Sequence, residues 1–454
     1  MPRVPPAVRW IVRTLEEAGF ETWTVGGAVR DALLGGAPGD WDLTTAARPQ
    51  QVRRLFRRTI PVGIEHGTVG VLARDGTLFE VTTFRRDVET HGRHAVVEFA
   101  DTLDEDLARR DFTINAVAWH PVRHELRDPF EGAGDLRAGI LRTVGVPEER
   151  FAEDYLRVLR ALRFAGRFGM EVEGATWKAL CAARGSLGQL SPERVRDELL
   201  KVLGGSREAS RALSLLAASG VLAELFPELD ALVGLRPAGD PVDLWTRTLL
   251  LVDALPPDAV SLRLGALLHA LGVPGLLPEG GGREALRRRG VLRTMGLLER
   301  LRFSNLRIQE VAALVEAVAF PPDPEAGEAG LRRWLARVGR GPVRGVCRIQ
   351  AAGARVERAL TGGDPAPVAA RIRSLRKELG SGAPLAVEEL ALGGSELKGM
   401  GLRPGPHFGQ ILRHLLERVL EAPELNRREV LEALTREWLA AQAPPTTRAG
   451  EGRE

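Results

Sequence analysis

The period at which apolar residues recur changes once along this 454-residue chain, and it changes early. Up to about residue 145, short alternating runs that read as strands stand between helical stretches; beyond Pro147 the spacing is helical almost throughout. Val8 to Glu17 repeats at helical spacing, and Glu21 to Val25 alternates and stops at Gly26-Gly27. Thr68 to Ala73 and Thr77 to Phe84 read as two strands joined across Asp75-Gly76, a dipeptide suited to a tight hairpin. Phe151 to Arg167, Pro192 to Leu203 and Ser206 to Ala218 follow as helices, the second with Ser191 as N-cap and Pro192 at its first position. The fold class expected is α+β: an α/β part over residues 1–145, then all-α parts over 146–225, 226–375 and 376–454. Glycine and proline cluster at Gly234–Pro241, Pro274–Gly282, Pro321–Gly330 and Gly362–Pro367, as loops or unit boundaries do.

One hydrophobic core does not usually serve a chain of this length, so several units are expected. Hydrophobic residues at 44% and charged residues at 27% leave no room for wholesale disorder. With 63 Lys and Arg against 60 Asp and Glu, the net charge of +3 neither demands nor excludes a nucleic-acid partner, and local clustering has to decide. Cys181 and Cys347 are too few for a disulfide scaffold or a four-cysteine zinc site, and they fit a reducing cytoplasm. Met1 to Trp10 has two Arg, three Pro and no apolar run, and no stretch of about 18 apolar residues occurs, so neither secretion nor a membrane span is expected. Ala443 to Glu454 reads as a frayed tail.

The chemistry begins at Gly39-Asp40-Trp41-Asp42-Leu43. Two aspartates two apart on an extended strand project from one face and can share a cation. Hard oxygen donors suit Mg²⁺, which takes one or two carboxylates together with substrate phosphates and retained waters. Two such ions would activate an attacking hydroxyl and stabilise a leaving pyrophosphate. In isolation an Asp-x-Asp is more often a turn with a capped helix. Here it follows Gly26-Gly27, where a strand becomes a helix, backbone N–H groups can approach a triphosphate, and the helix N-terminus favours an anion. Arg30 comes one turn into that helix. Glu80, in Phe79-Glu80-Val81-Thr82-Thr83-Phe84, is either a third carboxylate or the solvent-facing member of an alternating strand, and the sequence leaves both readings open.

Two further clusters carry groups suited to a nucleotide. In Arg109-Arg110-Asp111 the forked guanidiniums can hold phosphate or ribose, Asp111 can accept from a sugar hydroxyl, and Asn115 fixes the local backbone. Along the helix from Phe151, Tyr155, Val158, Leu159 and Leu162 form an apolar arc that leaves Glu153, Arg157 and Arg160 outside it. Asp154 can accept from an exocyclic amine and Arg157 can donate to a ring nitrogen or carbonyl, a set able to separate ATP and CTP from GTP and UTP. Arg160 and Arg163 would orient that pair or touch phosphate, unless they are ordinary surface charges paired at i,i+3.

In chain order, Val25-Gly-Gly-Ala-Val-Arg-Asp31 with Asp40-Trp-Asp42, Arg109-Arg-Asp-Phe-Thr-Ile-Asn-Ala116, Asp128-Pro-Phe130, Leu141-Arg-Thr-Val-Gly145, Phe151 to Phe164 and Ser191 to Lys201 resemble the class II branch of the nucleotidyltransferase superfamily. That branch contains the bacterial CCA-adding enzymes and the poly(A) polymerases. The resemblance implies a polymerase-β-like nucleotidyltransferase head over 1–145, a helical neck for base and primer recognition over 146–225, a body over 226–375 and a tRNA-binding tail over 376–454. It implies template-independent, magnesium-dependent transfer of C, A or both from CTP and ATP to the 3′ end of tRNA, with release of pyrophosphate. Asp40 and Asp42 would be the catalytic metal ligands, and Gly26, Gly27, Arg30, Arg109, Arg110, Asp111, Asn115, Asp154, Arg157, Arg160 and Arg163 the nucleotide-binding set.

Val62 to Val69 looks more like the tRNA-directed members than the poly(A) polymerases, which stay the first alternative. An idle RNA-binding protein is the non-enzyme alternative, and intact Asp40, Asp42, Arg109 and Asp154 speak against it. Leu262 to Pro274 resembles the HD phosphohydrolase segment of some relatives, but Ala270 stands where the metal-binding aspartate would, so His269 reads as a packed histidine and no such activity is expected. Gly401 to Gly409 and Asn426 resemble the tail, where Lys398, Arg403, Arg413 and Arg418 would either meet phosphates or remain solvated helix charges. The departure from the pattern is Arg85 to Phe99, where relatives carry a flexible loop rich in Tyr, Asp, Arg and Pro that is associated with the switch from C to A. A split-function CC- or A-adding enzyme therefore stays open, as does the oligomeric state.

Overall fold

The computed structural model describes residues 4–91, 94–275, 282–319, 321–323 and 326–442, so the expected frayed tail and parts of two expected Gly/Pro boundaries lie outside the described residues. The chain forms two compact units, one of residues 1–234, 256–260 and 297–303, the other of residues 235–255, 261–296 and 304–454.

In the first unit, α1 (Pro6–Glu17) buries Val8, Ile11, Val12 and Leu15 along one face. β1 (Thr22–Val25) turns through Gly26 into α2 (Gly27–Leu33), followed by β2 (Asp42–Thr45), α3 (Pro49–Leu55), β3 (Thr59–Pro61), β4 (Thr68–Leu72) and β5 (Leu78–Thr83). After a hairpin of β6 (Arg85–His91) and β7 (His94–Phe99) come α4 (Leu103–Ala108), β8 (Ala118–His120), β9 (Glu125–Arg127) and α5 (Gly132–Ala138). Seven strands make one sheet in the order β3-β4-β5-β2-β1-β8-β9, antiparallel except where β2 meets β5. Alternation divides its two faces. Leu43, Val69, Val71 and Val81 turn inward and join Ile11, Val52 and Phe56 of the helical layer in one core. Thr44, Thr68, Glu80 and Thr82 turn the other way and line a cleft.

The stretch that departs from the relatives' loop is backbone-paired: β6 and β7 form a separate antiparallel ladder from Arg85↔Phe99 to His91↔His94, with an irregularity between Asp87 and Glu89. The helical part of the unit contains β10 (Ile140–Leu141), α6 (Pro147–Glu153), α7 (Leu156–Phe168), β11 (Glu171–Val172), α8 (Gly174–Ala183), α9 (Pro192–Gly205) and α10 (Ala209–Ala218). Two-residue β10 and β11 pair in parallel, so this region is not wholly helical. Pro192 is the first residue of α9 as expected, but the Ser191 hydroxyl makes no capping bond. Where α7 crosses α10, a Cβ on Gly166 would stand 2.4 Å from the Ala212 nitrogen, so only glycine allows that approach.

The expected continuous helix from Phe151 to Arg167 is broken. Asp154 is extended, with φ −155° and ψ 105°, and ends α6, while Tyr155 opens α7. The Asp154 side chain accepts from the Leu156 N–H at 3.0 Å. A short carboxylate that captures a backbone N–H two residues on competes with the helical ladder, and apolar periodicity does not register that competition.

The second unit is helical among its described residues, including Asn305–Ala319, Gly327–Val338, Val343–Thr361, Ala366–Gly380 and Pro406–Glu421. One of its cores gathers Leu335, Val346, Cys347 and Leu375, and another gathers Leu392, Leu397, Ile411 and Leu431. No helix of the described residues is long and apolar enough to cross a membrane.

Candidate active site

A cleft of about 630 Å³ lies against the polar face of the sheet, within the size range of ligand sites. Its lining includes nine arginines and five carboxylates, which makes it a cationic trough suited to a polyanion.

The floor is built by strand pairing. Asp42, the first residue of β2, lies opposite Val25, so its carboxylate comes beside the Gly26 turn. Gly26 has φ 73°, and a Cβ there would stand 3.1 Å from Arg110 Nη1 and 3.7 Å from Asp42 Oδ2; glycine satisfies both the left-handed backbone and the space. Because Leu43 pairs with Val81 in the parallel ladder, Glu80 comes beside Asp42. Glu80 lines the cleft and is exposed there. Burial raises the Asp42 carboxyl above the usual range; Arg110 opposes this, and the charges of Glu80 and Asp40 add to it. Asp40 precedes β2 in a bend rather than on the strand and is not among the lining residues, while Trp41 between the two aspartates is buried in the core. Among the described residues, no three His, Cys, Asp or Glu side chains are grouped as a metal-ligand set.

The helical side ties its carboxylates to arginines. Asp106, on α4, accepts from Thr44 Oγ1 at 3.1 Å and pairs with Arg109 at 3.2 Å and Arg110 at 3.4 Å. Burial pushes its carboxyl up, but Arg110 and Arg109 outweigh that and hold it below the ordinary range. Asp111 accepts from the Phe112 N–H and from Asn115 Nδ2, both at 2.9 Å, and pairs with Arg160 at 2.6 Å. Burial again raises the carboxyl, and Arg160 with these hydrogen bonds more than offsets it. Asn115 is the link onward: its Oδ1 accepts from Arg30 Nη1 at 2.7 Å. The Arg30 guanidinium stands 5.0 Å and 4.7 Å from the ring centroids of Phe164 and Phe168, so α2 and α7 are joined by cation–π contacts. Gly27 lines the cleft one residue from the turn.

At the helix break, Asp154 Oδ2 pairs with Arg194 Nη2 of α9 at 2.6 Å. Arg157 donates to the Glu153 carboxylate, to the Arg150 carbonyl at 3.0 Å and to the Arg109 carbonyl at 3.3 Å. Asp154 and Arg157 therefore flank the break rather than share a helix, and both line the cleft. Arg163 lies there too but is tied to the buried Glu198 at 2.6 Å and stacks over Phe164 at 4.1 Å. Sequence reasoning had no cue for Asp106, Arg194 and Glu198, whose partners include residues 62, 40 and 35 positions away.

Outside the first unit, His269 Nδ1 donates to the Ala266 carbonyl at 2.7 Å, and burial lowers its pKa. Ala270 beside it is buried. Arg413 donates to its own helix at the Gly409 carbonyl, and Asn426 joins the Ala391 N–H and Glu389 carbonyl.

Residues 22–142 match the family described as the Poly A polymerase head domain, and residues 169–233 match the one described as the probable RNA and SrmB-binding site of polymerase A. The CCA-adding enzyme of Geobacillus stearothermophilus is 34% identical over 439 residues, 94% of this chain and 95% of the relative. That of Geobacillus thermodenitrificans is 38% identical over 333 residues, 72% of this chain and 74% of the relative. A crystal structure of the Bacillus stearothermophilus CCA-adding enzyme in complex with CTP superposes with a TM-score of 0.74 at 32% identity, covering 97% of this chain and 99% of that one. The Thermotoga maritima CCA-adding enzyme complexed with tRNA, at 19% identity and a TM-score of 0.53 over 96% of this chain and 97% of that one, shares the fold.

Proposed function

Because this chain belongs to the CCA-adding enzymes, a family of tRNA nucleotidyltransferases, we propose that its cleft joins CTP and ATP to the 3′ end of tRNA with the residues placed above in defined roles. The carrying observation is the division of the cleft into a floor of unpaired carboxylates and a wall of organised arginines. Relatives have been solved with CTP, with ATP and with tRNA, which supports the same ligands here. A cytoplasmic location, a head, neck, body and tail divided near residues 145, 225 and 375, and a tail grip on tRNA are part of this reading.

The 3′-hydroxyl of the RNA attacks the α-phosphorus; a phosphorus–oxygen bond forms, the bond to the β-phosphate oxygen breaks, and pyrophosphate leaves. Arg109 and Arg110, oriented by Asp106, present forked donors to the phosphates, and the buried Arg30, its fork on Asp31 and Asn115, adds positive charge behind the Gly26-Gly27 turn. The Gly26-Gly27 turn lets the triphosphate approach the backbone. Asp111 and Arg160 form a fixed pair that shapes the ribose end. Asp154 accepts from the exocyclic amine that C and A share and G and U lack at the corresponding position, and Arg157 donates to the ring. Arg163 supports the wall through Glu198.

The donor set fits Mg²⁺. Asp42, with Asp40 and Glu80 as neighbouring charges, offers hard oxygens whose mutual repulsion a cation would relieve, and Mg²⁺ completes its shell with water and phosphate rather than a full protein cage. Asp40 and Asp42 would hold it, and when bound it would supply charge neutralisation at the reacting phosphate.

Transcripts ending at the discriminator base, at C and at CC, each incubated with one of the four nucleotides and Mg²⁺, test the reading and show whether C, A or both are added. Extension by C and A only, abolished by Asp40→Ala with Asp42→Ala, is expected. Failure to lengthen any transcript, or incorporation indifferent to the base, would overturn it.

A further inference from the structure

A second cationic surface lies on the first unit, away from the cleft. Between Leu43 and Glu80 the chain has six arginines and two carboxylates, in a protein whose whole net charge is +3. Arg53, Arg54, Arg57 and Arg58 are exposed at the end of α3 and the approach to β3. Arg74 is exposed in the β4–β5 turn, and the Leu72 N–H bonds the Arg58 carbonyl at 3.0 Å, which brings these segments to the same end of the sheet. Arg9 and Arg13 are exposed on α1, which adjoins α3 where Trp10 packs edge-on against Phe56 at 5.2 Å. None of these seven guanidiniums is in an ion pair or side-chain hydrogen bond among the described residues. Of the two carboxylates, Glu65 faces His66 at 3.9 Å and Asp75 accepts from the Thr77 N–H at 2.9 Å.

The helix terminus accounts for Arg53 and Arg54 in part, since cations are favoured near a C-terminus. It does not account for the other five. Like charges gathered without partners repel one another, which a polyanion relieves while releasing condensed counterions. The buried faces of α1 and α3 join the hydrophobic layer opposite the cleft-lining side of the sheet, so this surface is on the rear of the head.

We propose that this rear surface binds the phosphodiester backbone of RNA, outside the site of nucleotide transfer. Forked guanidiniums without a single lysine suit phosphate oxygens. A bilayer partner is disfavoured because Val8, Ile11, Val12, Leu15 and Val52 are in the core, and the apolar side chains the two helices leave partly exposed, Trp10 and Leu55, are too few for an inserting face. A protein partner is disfavoured because the exposed apolar side chains here, Trp10, Leu55, Ile60 and Leu78, are interspersed with seven like charges that an interface core would have to bury.

The test uses the full chain and an RNA duplex blocked by a 3′-phosphate, titrated by fluorescence anisotropy at several salt concentrations. Replacing Arg53, Arg54, Arg57 and Arg58 together by Gln is expected to weaken binding about 10-fold or more near 0.1 M salt and to flatten the log–log salt slope by about 2–4. Steady-state CTP addition to a short acceptor hairpin should be unchanged. The same four positions changed to Lys should retain most of the salt slope. In the native protein, the duplex should protect Arg57 and Arg58 from an arginine-specific reagent read by mass spectrometry, a measurement that does not depend on a variant folding. Unchanged affinity and slope, absence of protection, or protection by anionic vesicles but not by RNA would overturn the proposal.

Discussion

Asp42 and Glu80 on the sheet side of the cleft accept no hydrogen bond among the described residues, whereas Asp106 and Asp111 on the helical side are each tied to arginines within 3.4 Å. The difference shows up in their acidity: burial and neighbouring charge leave the Asp42 carboxyl raised, while paired guanidiniums hold Asp106 and Asp111 down despite burial. Unpaired acids in one place raise the folding free energy, and a protein keeps them where something positive is to arrive. Paired acids beside them fix the arginines that do the holding. The floor is thus incomplete without its ligands, and the wall is preorganised before they come.

Asp42→Asn is the sharpest way to break this contrast. Loss of incorporation by roughly 10³-fold or more is expected, in the range seen when charge stabilisation at a reacting centre is removed. Thermal melting of the metal-free variant should nevertheless be no lower than that of the parent at neutral pH, because a repelled carboxylate has been removed. A clear loss of stability would show that Asp42 is a structural residue. Asp111→Asn should behave in the opposite sense. Leaving Arg160 without its buried partner is expected to cost about 3 kcal/mol in urea unfolding, and activity should fall with it. Stability equal to the parent would mean that the pair does not organise the wall.

Arg194 offers a smaller and more selective probe. It touches Asp154, so Arg194→Met should leave incorporation of CTP within a few-fold of the parent yet shift the CTP-to-UTP ratio by about 10-fold, near the lower end of what one well-placed polar contact discriminates. Arg194→Lys should recover part of the ratio. If Asp154→Ala relaxes base choice and Arg194→Met does not, Asp154 reads the base without help from α9.

The floor was partly legible in the sequence because the glycine turn and Asp42 stand within 17 residues, whereas Asp40, expected beside Asp42 on the strand, is in the bend before it and outside the cleft lining. Glu80 was not, since Phe79-Glu80-Val81-Thr82 alternates equally well with its acid toward solvent or cleft, and only pairing to β2 decides. The wall was half legible. Arg109, Asp111 and Arg157 could be singled out as nucleotide-facing types, but the pairing of Asp111 with Arg160 of α7 and of Asp154 with Arg194 of α9 is set by packing between distant segments. The break at Asp154 escaped for a different reason, because the apolar arc of Val158, Leu159 and Leu162 continues the period of the preceding turn while the chain direction does not. Fold class was easier than either, since the loss of strand-like alternation after residue 145 survives any error of a few residues in element ends.

Titration provides the finest test of the floor-and-wall distinction, and the signs oppose. Asp111 has a folded pKa below its unfolded value, so its contribution is present above the ordinary carboxylate range and is lost as pH falls through the folded value. Asp42 has a raised folded pKa, so its contribution is fully present below the unfolded value, near 3.9, and is lost as pH rises through the folded one. The stability difference between parent and Asp111→Asn should therefore shrink on acidification below about pH 4. That between Asp42→Asn and the metal-free parent should instead grow as pH rises through the carboxylate range and then level off. Adding Mg²⁺ should reduce the second difference and leave the first unchanged, because only the floor acid has a charge left to share. Parallel pH profiles for the two variants would place both carboxylates in the same structural role.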